Sequence, residues 1–313
     1  MIAFGSSISG AEAYRRYAEP GIRRAAEPDS PVLAYAAVEP IGRTYNLILD
    51  SAAALEQLEA LVLVHPHTEI LDSRFCAKVR EALSDPDMGL IGCAGARSVR
   101  SIAWWEADVV IGRVRQQYEE YRGGEIDSVP WATRNPPPAE VEVLDGQLLV
   151  LSPWAVRNIR FDETLLLGHG FDLDYSLRVR EAGRKLLVAD LQVAHHRSLE
   201  LISDLAVWVE AHIQIAEKWD AALNELPADE SAWKRRARHA EARREAARAI
   251  AMSESLKLEA RVLELERQFE QKTSTMSWRL TAPLRALNRL RRRLSEEQDG
   301  ASREAPLESR PWK

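Results

Sequence analysis

Along the first ninety or so residues, short apolar blocks alternate with segments whose apolar positions fall three and four apart. Met1 to Phe4, Pro31 to Val38, Ala60 to Val64 and Met88 to Cys93 have the length and composition of buried strands. The first runs into a small polar turn, Gly5-Ser6-Ser7, and the second ends at Glu39-Pro40. Helical spacing appears around Tyr14, Tyr17 and Ile22, from Tyr45 to Leu58 with Asn46 at its opening, and from Asp72 to Leu83. Strand, helix and strand in succession predict a mostly parallel, Rossmann-type sheet flanked by helices. In such a sheet ligands lie beyond the carboxyl ends of the strands, which nominates Ser6, Ser7, Glu39 and the turn after Val64. Turn and capping chemistry accounts equally well for Ser7 and Asn46.

The second half of the body repeats the alternation with more chemistry in it. Val143 to Leu151 is an apolar run interrupted by Asp145-Gly146, where a residue without Cβ lets backbone or ligand come close. Asp172 stands directly before a helical pattern, Leu173 to Ala182, which stops at Gly183 in the position of a left-handed cap. Lys185 to Ala189 reads as a strand, and His195-His196 follow it. Neighbours on an extended segment point to opposite faces, so at most one of the two histidines enters a cleft. Between Ile102 and Glu142 the pattern loosens into turn signals, Arg122-Gly123-Gly124 and Asn135-Pro136-Pro137-Pro138, the signature of a lid-like connection. Trp104, Trp105 and Trp131 in that region suit either a ligand-facing platform or the core.

Beyond the body, Leu205 to Leu223 reads as a helix that Leu226-Pro227-Ala228-Asp229 breaks, and a long helix follows from Ser231 to Lys272. Leu258, Val262, Leu265 and Phe269, spaced four, three and four, form a short heptad seam suited to self-association or to lying back on the body. From Met276 to Leu294, Trp and Leu interleave with six arginines and no acid, as in a segment that settles on an anionic membrane surface. The expected division is a domain over residues 1–220, a helical appendage over 221–295 and a disordered tail over 296–313.

Charge sharpens this division. Through Asp220 there are 22 Lys+Arg against 33 Asp+Glu, a net of −11, whereas the remainder carries +5. An acidic body of this size excludes nonspecific nucleic-acid binding, which needs a basic face. Cys76 and Cys93 lack metal-ligand spacing and read as small core residues. The chain has no charged leader followed by a long apolar run, and no stretch of about 18 apolar residues, so the expected location is cytoplasmic, peripheral on the inner membrane face.

One set of residues adds a resemblance. The string His169-Gly170-Phe171-Asp172-Leu173-Asp174 resembles the acceptor half of family-2-type glycosyltransferases of the GT-A fold. Phe161-Asp162-Glu163 and Leu144-Asp145-Gly146 precede it, and His195-His196-Arg197-Ser198 follow. Ile91 to Ala96, the pair Trp104-Trp105 and the run Ser277 to Pro283 fit the same comparison, which covers roughly residues 1–220 with its motifs in order.

The resemblance implies an enzyme that moves a sugar from a nucleotide-diphosphate donor to a hydroxyl of a glycan or lipid-linked acceptor, with inversion. It implies Asp172 as the base, supported by Asp174, and donor contacts from Ser7, Glu39, Asn46, Asp145, Gly146 and Trp105. It also implies a divalent metal, Mn²⁺ or Mg²⁺, with His67 and His195 at the metal or diphosphate positions. Two residues depart from the pattern: His67 replaces an expected aspartate, and Phe171 replaces a glutamate. The alternatives are a noncatalytic nucleotide-sugar-binding or scaffold protein of the same fold, and a nucleotidyltransferase, for which no glycine-rich basic phosphate loop is present near the start.

Overall fold

The computed structural model describes residues 1–112, 114–118, 124–125, 137–165, 168–197, 202, 204–219, 231–274, 281 and 283. The strands expected around Ala60 and Met88 form where the apolar runs place them. In chain order the first seven strands are β1 (Ile2–Ile8), β2 (Val32–Ala36), β3 (Ala60–Val64), β4 (Thr68–Ile70), β5 (Met88–Gly92), β6 (Ala94–Arg97) and β7 (Val109–Gly112). They are followed by β8 (Val114–Tyr118), β9 (Gly124–Glu125), β10 (Ala139–Val141), β11 (Val143–Leu144), β12 (Leu148–Leu151), β13 (Lys185–Val188) and β14 (Val193–Arg197).

A seven-stranded sheet in the order β10-β13-β5-β12-β3-β1-β2 forms the centre. Five of its strands run parallel, while β12 and β10 run against them. This is the mixed α/β architecture, with a mostly parallel sheet and flanking helices, that the alternation of elements anticipates. Leu61 and Leu63 of β3, with Leu149 and Leu151 of β12, join Tyr45, Ile48 and Leu49 of helix Ile41–Ala53 and Tyr175 and Val179 of helix Phe171–Glu181 in one core. On the opposite side Phe4 meets Phe75 of helix Phe75–Ala82. A four-stranded sheet, β4-β14-β8-β9, and a three-stranded one, β11-β6-β7, stand beside it.

Several expectations are corrected. Gly5-Ser6-Ser7 is not a turn: β1 continues to Ile8, because Ser6 and Ser7 pair in register with Ala34 and Tyr35 of β2. A Cβ on Gly5 would come within 2.6 Å of Ile48 Cγ2, so the missing side chain lets helix Ile41–Ala53 lie on the strand. That helix begins after Pro40 rather than at Tyr45, which places Asn46 inside it. The run Val143 to Leu151 is two strands in two different sheets, with Asp145-Gly146 at the switch between them. Part of the loosely patterned stretch is strand, β7 and β8. Asp172 is the second residue of helix Phe171–Glu181, whose N-cap is Gly170 at φ 77°, and not the residue preceding it. Gly183 has the expected left-handed conformation, φ 77°.

Two compact units divide the chain, Met1–Leu258 and Glu259–Lys313. The first part of the long helix Ser231–Ser274 thus belongs with the α/β body, beyond the boundary expected at residue 220. Within that unit Ser101 Oγ donates to Glu245 Oε2 at 2.8 Å, His212 Nδ1 lies 3.3 Å from the same oxygen, and Arg248 pairs with Glu106. The exposed seam residues Leu258, Val262, Leu265 and Phe269 follow on the same helix. Trp131, Ser198, nearly all of the basic segment after Met276 and the tail from Glu296 lie outside the described residues.

Candidate active site

The carboxyl end of β3 and the amino end of β12 are adjacent, since Leu148 pairs with Val64. One step beyond this pair the His65 N–H donates to Gln147 O at 3.0 Å, tying the histidine turn to the Asp145-Gly146 switch. Asp145 Oδ1 accepts from Gln147 N at 2.8 Å and Asp145 N donates to Ala94 O at 3.0 Å, so the switch is held on both sides. Gly146 N then donates to Asp172 Oδ2 at 2.8 Å. Through the adjacent residues Gly146 and Gln147, hydrogen bonds therefore join His65 to the Asp172 carboxylate at the edge of the sheet where the parallel strands end.

Two factors determine the state of the Asp172 carboxylate. Burial raises its pKa above the ordinary aspartate value, while the N–H groups of Gly146 and Leu173 and the nearby His169 act in the opposite direction. Burial wins, which makes the ionised form more basic than a surface aspartate. His169 is itself pushed down by burial, with Asp172 opposing. This imidazole was visible in the sequence only as part of a string, and the structure puts it near Asp172.

Asp174, two residues on, has a different environment. Its side chain is fully buried and bound to Arg178 Nε at 2.9 Å, Trp219 Nε1 at 2.7 Å and Lys218 Nζ at 2.5 Å. Asp162 shares both cations, and its carboxyl is held well below the usual range, with the Lys218 and Thr164 hydrogen bonds outweighing burial. The pair of acids and the pair of bases fasten helix Leu205–Lys218 to helix Phe171–Glu181.

Asn46 is likewise committed. Its Oδ1 accepts from Phe161 N at 2.9 Å, and its Nδ2 donates to Phe161 O at 3.0 Å and to Glu163 Oε1 at 2.9 Å. The amide thereby imitates a strand neighbour for the segment that precedes the site. Ser7 is buried in β1 with no hydrogen-bond partner for its hydroxyl among the described residues, Glu39 is exposed, and Trp105 is half-buried, edge-on to Trp104 at 6.1 Å.

The histidines separate as strand alternation requires. His196 stacks on Tyr17 at 3.8 Å and contacts Glu69 Oε2 at 3.1 Å. His195 turns the other way, its ring 6.1 Å from that of His65 and edge-on, and His65 lies 5.6 Å from His67. His195 is in register with Thr68 of β4 and Gln116 of β8, so these three side chains share a face. His65, Thr68, Gln116 and Tyr17 carry no sequence motif. Strand register brings Thr68 and Gln116 to His195, and ring contacts bring His65 to His195 and His67 and Tyr17 to His67 and His196.

The divalent cation implied by the resemblance can be tested against these residues. His65 Nδ1 accepts from His67 N at 3.3 Å, which leaves the ring proton on Nε2, and burial pushes its pKa down to about 4, keeping it neutral. Glu69, the nearest carboxylate in sequence, is bonded to Arg24 and His196 on the opposite face. Among the described residues no group of three or more His, Cys, Asp or Glu side chains could hold a metal ion. A hard cation prefers oxygen ligands, and the turn does not offer them.

Residues 27–218 match the model of the glycosyltransferase-like family, more than half of the chain, and the chain belongs to that family: it is a glycosyltransferase. Over 212 residues it is 30% identical to the streptomycin biosynthesis protein StrF of Streptomyces griseus, covering 66% of this chain and 71% of that protein. Among solved structures, the mannosyltransferase PcManGT of Pyrobaculum calidifontis, in complex with GDP-Man and Mn²⁺, aligns with a TM-score of 0.43 at 11% identity, over 91% of this chain and 83% of its own. GalNAc-T7 with UDP, GalNAc and Mn²⁺ aligns with a TM-score of 0.47 at 12% identity, over 76% and 53%.

Proposed function

We propose that this glycosyltransferase moves a sugar from a nucleotide-diphosphate donor to a hydroxyl acceptor by single displacement, with inversion. The acceptor oxygen attacks the anomeric carbon as the bond from that carbon to the diphosphate oxygen breaks, and the electron pair leaves with the diphosphate. The hydroxyl proton goes to Asp172, whose raised pKa suits a base in this role. The observation that carries the reading is the bond from Gly146 N to Asp172 Oδ2, because it fixes one carboxylate oxygen at the mouth of the site and is continuous with the histidine turn.

In this reading Asp145, Gly146, Ser7, Glu39 and Trp105 belong to the donor side, and His67 and His195 stand at the diphosphate. Asp174 and Asn46 are positioning residues, since their polar atoms are engaged within the protein. The acceptor class is a glycan or lipid-linked hydroxyl in polysaccharide or glycoconjugate assembly. Peripheral attachment to an anionic membrane through residues 276–294, and self-association through the Leu258–Phe269 seam, are supported by the sequence pattern alone. Among the described residues no helix is long and apolar enough to cross a membrane.

The test is to incubate the full chain with UDP-, GDP-, dTDP- and CDP-sugars and a panel of glycosyl acceptors. Nucleoside diphosphate release is followed by chromatography and the anomeric configuration of the product by NMR. An inverted product whose formation collapses in Asp172→Asn supports the mechanism. A product of retained configuration, or one formed equally fast by that variant, contradicts it.

A further inference from the structure

We infer that the donor's diphosphate is held at the His65-Pro66-His67 turn by imidazole N–H groups and neighbouring buried polar side chains, without a divalent cation. This rests on the reading of that turn as the donor-diphosphate site, and goes beyond it in replacing the cation with the chain's own hydrogen-bond donors.

The tautomer of His65 is the first argument. With Nδ1 accepting from the His67 N–H, the proton on Nε2 makes that edge of the ring a donor. A phosphate oxygen accepts from such a donor. A metal ion needs a lone pair on Nε2, which would require the proton to move to Nδ1 and the bond to His67 N to be lost. The fold thus sets His65 up for an anion and against a cation.

His67 Nδ1 has no hydrogen-bond partner among the described residues, and neither do Thr68 Oγ1, Gln116 Oε1 and Ser7 Oγ. Thr68 is fully buried and Gln116 is 4% exposed, and both share the face of His195. Buried polar groups are nearly always satisfied, so these orphans around one turn are open to the polar atoms of a ligand or to water. The histidine nitrogen and the threonine hydroxyl can donate to phosphate oxygens, while the Gln116 carbonyl oxygen suits a hydroxyl of the donor.

The third argument is what the nearby acid does. Glu69 Oε1 accepts from Arg24 at 3.1 and 3.2 Å, and Glu69 Oε2 contacts His196 at 3.1 Å. Its register partner is Ala194, so it points away from the face that carries His195. Recruiting this carboxylate to a metal would break three contacts and reverse the strand's facing.

Calorimetric titration of the full chain with UDP, GDP, dTDP and CDP, in EDTA and then in excess MnCl₂ or MgCl₂, tests the inference. We expect one nucleoside diphosphate to bind in EDTA with an affinity within about threefold of that in metal, and His67→Ala to weaken it by roughly tenfold or more, as loss of a charge-assisted bond should. His67→Asp should convert the site, binding poorly in EDTA and recovering in Mn²⁺. His67→Gln keeps a donor and serves where the alanine variant melts early. Binding that weakens by about tenfold or more in EDTA and returns with Mn²⁺ in the native chain overturns the metal-free site and leaves the donor-site reading standing. The absence of binding under every condition would refute both.

Discussion

Gly146 and Asp172 determine each other's position. The glycine N–H donates to Asp172 Oδ2 at 2.8 Å, and a Cβ at 146 would come within 3.0 Å of Asp172 Cβ and 2.7 Å of Phe171 Cζ. Gly146→Ala should therefore displace the start of helix Phe171–Glu181. Overpacking of this kind costs about 1–3 kcal/mol of stability, and a shifted base should lower kcat by roughly a hundredfold. Urea denaturation with steady-state kinetics checks this, and an alanine variant with native kcat would show that the close approach is incidental.

Asp172→Asn keeps an acceptor for Gly146 N but removes the base. A fall in kcat of about 10²–10⁴-fold is expected, the usual contribution of general base catalysis. The folded pKa is raised, so the stability tied to this group is fully present below the ordinary aspartate value and is lost as pH rises through the raised one. The ionised group is thus a burden on the native state at neutral pH. The asparagine variant should melt at or above the native temperature there, and the difference should vanish in acid. A lower melting temperature at neutral pH would contradict the assignment.

Activity should respond to pH in the matching sense. Because the active form is ionised, kcat/KM should fall as pH drops through a value above that of an ordinary aspartate. A pH-rate profile on the free enzyme measures it. A limb at an unshifted carboxylate value would assign the proton transfer to a more exposed acid.

Asn46 binds Phe161 through both of its amide atoms. Asn46→Ala strands a buried N–H and C=O, at about 1–3 kcal/mol for each group left unsatisfied, so a loss of roughly 2–4 kcal/mol in denaturant unfolding is expected. Donor KM should stay near native at temperatures where the variant is folded. A KM effect without a stability effect would return Asn46 to the donor site.

Glu245 ties the long helix to the body through Ser101 and His212, with His212 only 1% exposed. Leaving the buried Ser101 hydroxyl without its acceptor costs about 1–3 kcal/mol. Glu245→Ala should therefore unfold at clearly lower urea and admit protease within residues 231–258 first. Unchanged unfolding and cleavage would mean that the helix is held by its apolar contacts alone.

Much of this architecture is legible in the sequence because its strands are buried on both faces. Ala60–Val64 and Met88–Gly92 are continuous apolar runs, which have few other ways to fold. The strand through Ser6 and Ser7 is less legible, since small polar residues signal a turn until the partner strand is known. The antiparallel direction of β12 depends on the switch at Asp145-Gly146, a tertiary event that no periodicity records.

At the site, Asp172 could be singled out by its place before a helix and its ordered neighbours. Asp174 looks equivalent in sequence, and only Arg178, Lys218 and Trp219, brought from two helices, show that it is already bound. Asn46 meets Phe161 across 115 positions, a pairing that sequence spacing does not reveal. The turn after Val64 could be nominated from its place at a strand end, but the facing of Thr68 and Gln116 toward His195 comes from strand register and is not legible in the sequence.

The most direct measurement is the thermal stability of the native chain, Asp172→Asn and His67→Ala, each with UDP, GDP, dTDP and CDP. A ligand that binds only the folded state raises the melting temperature by mass action. The account predicts that one diphosphate stabilises the native chain, stabilises Asp172→Asn as well, and loses its effect in His67→Ala. No rise for any nucleotide, or a rise that His67→Ala leaves intact, would contradict the account.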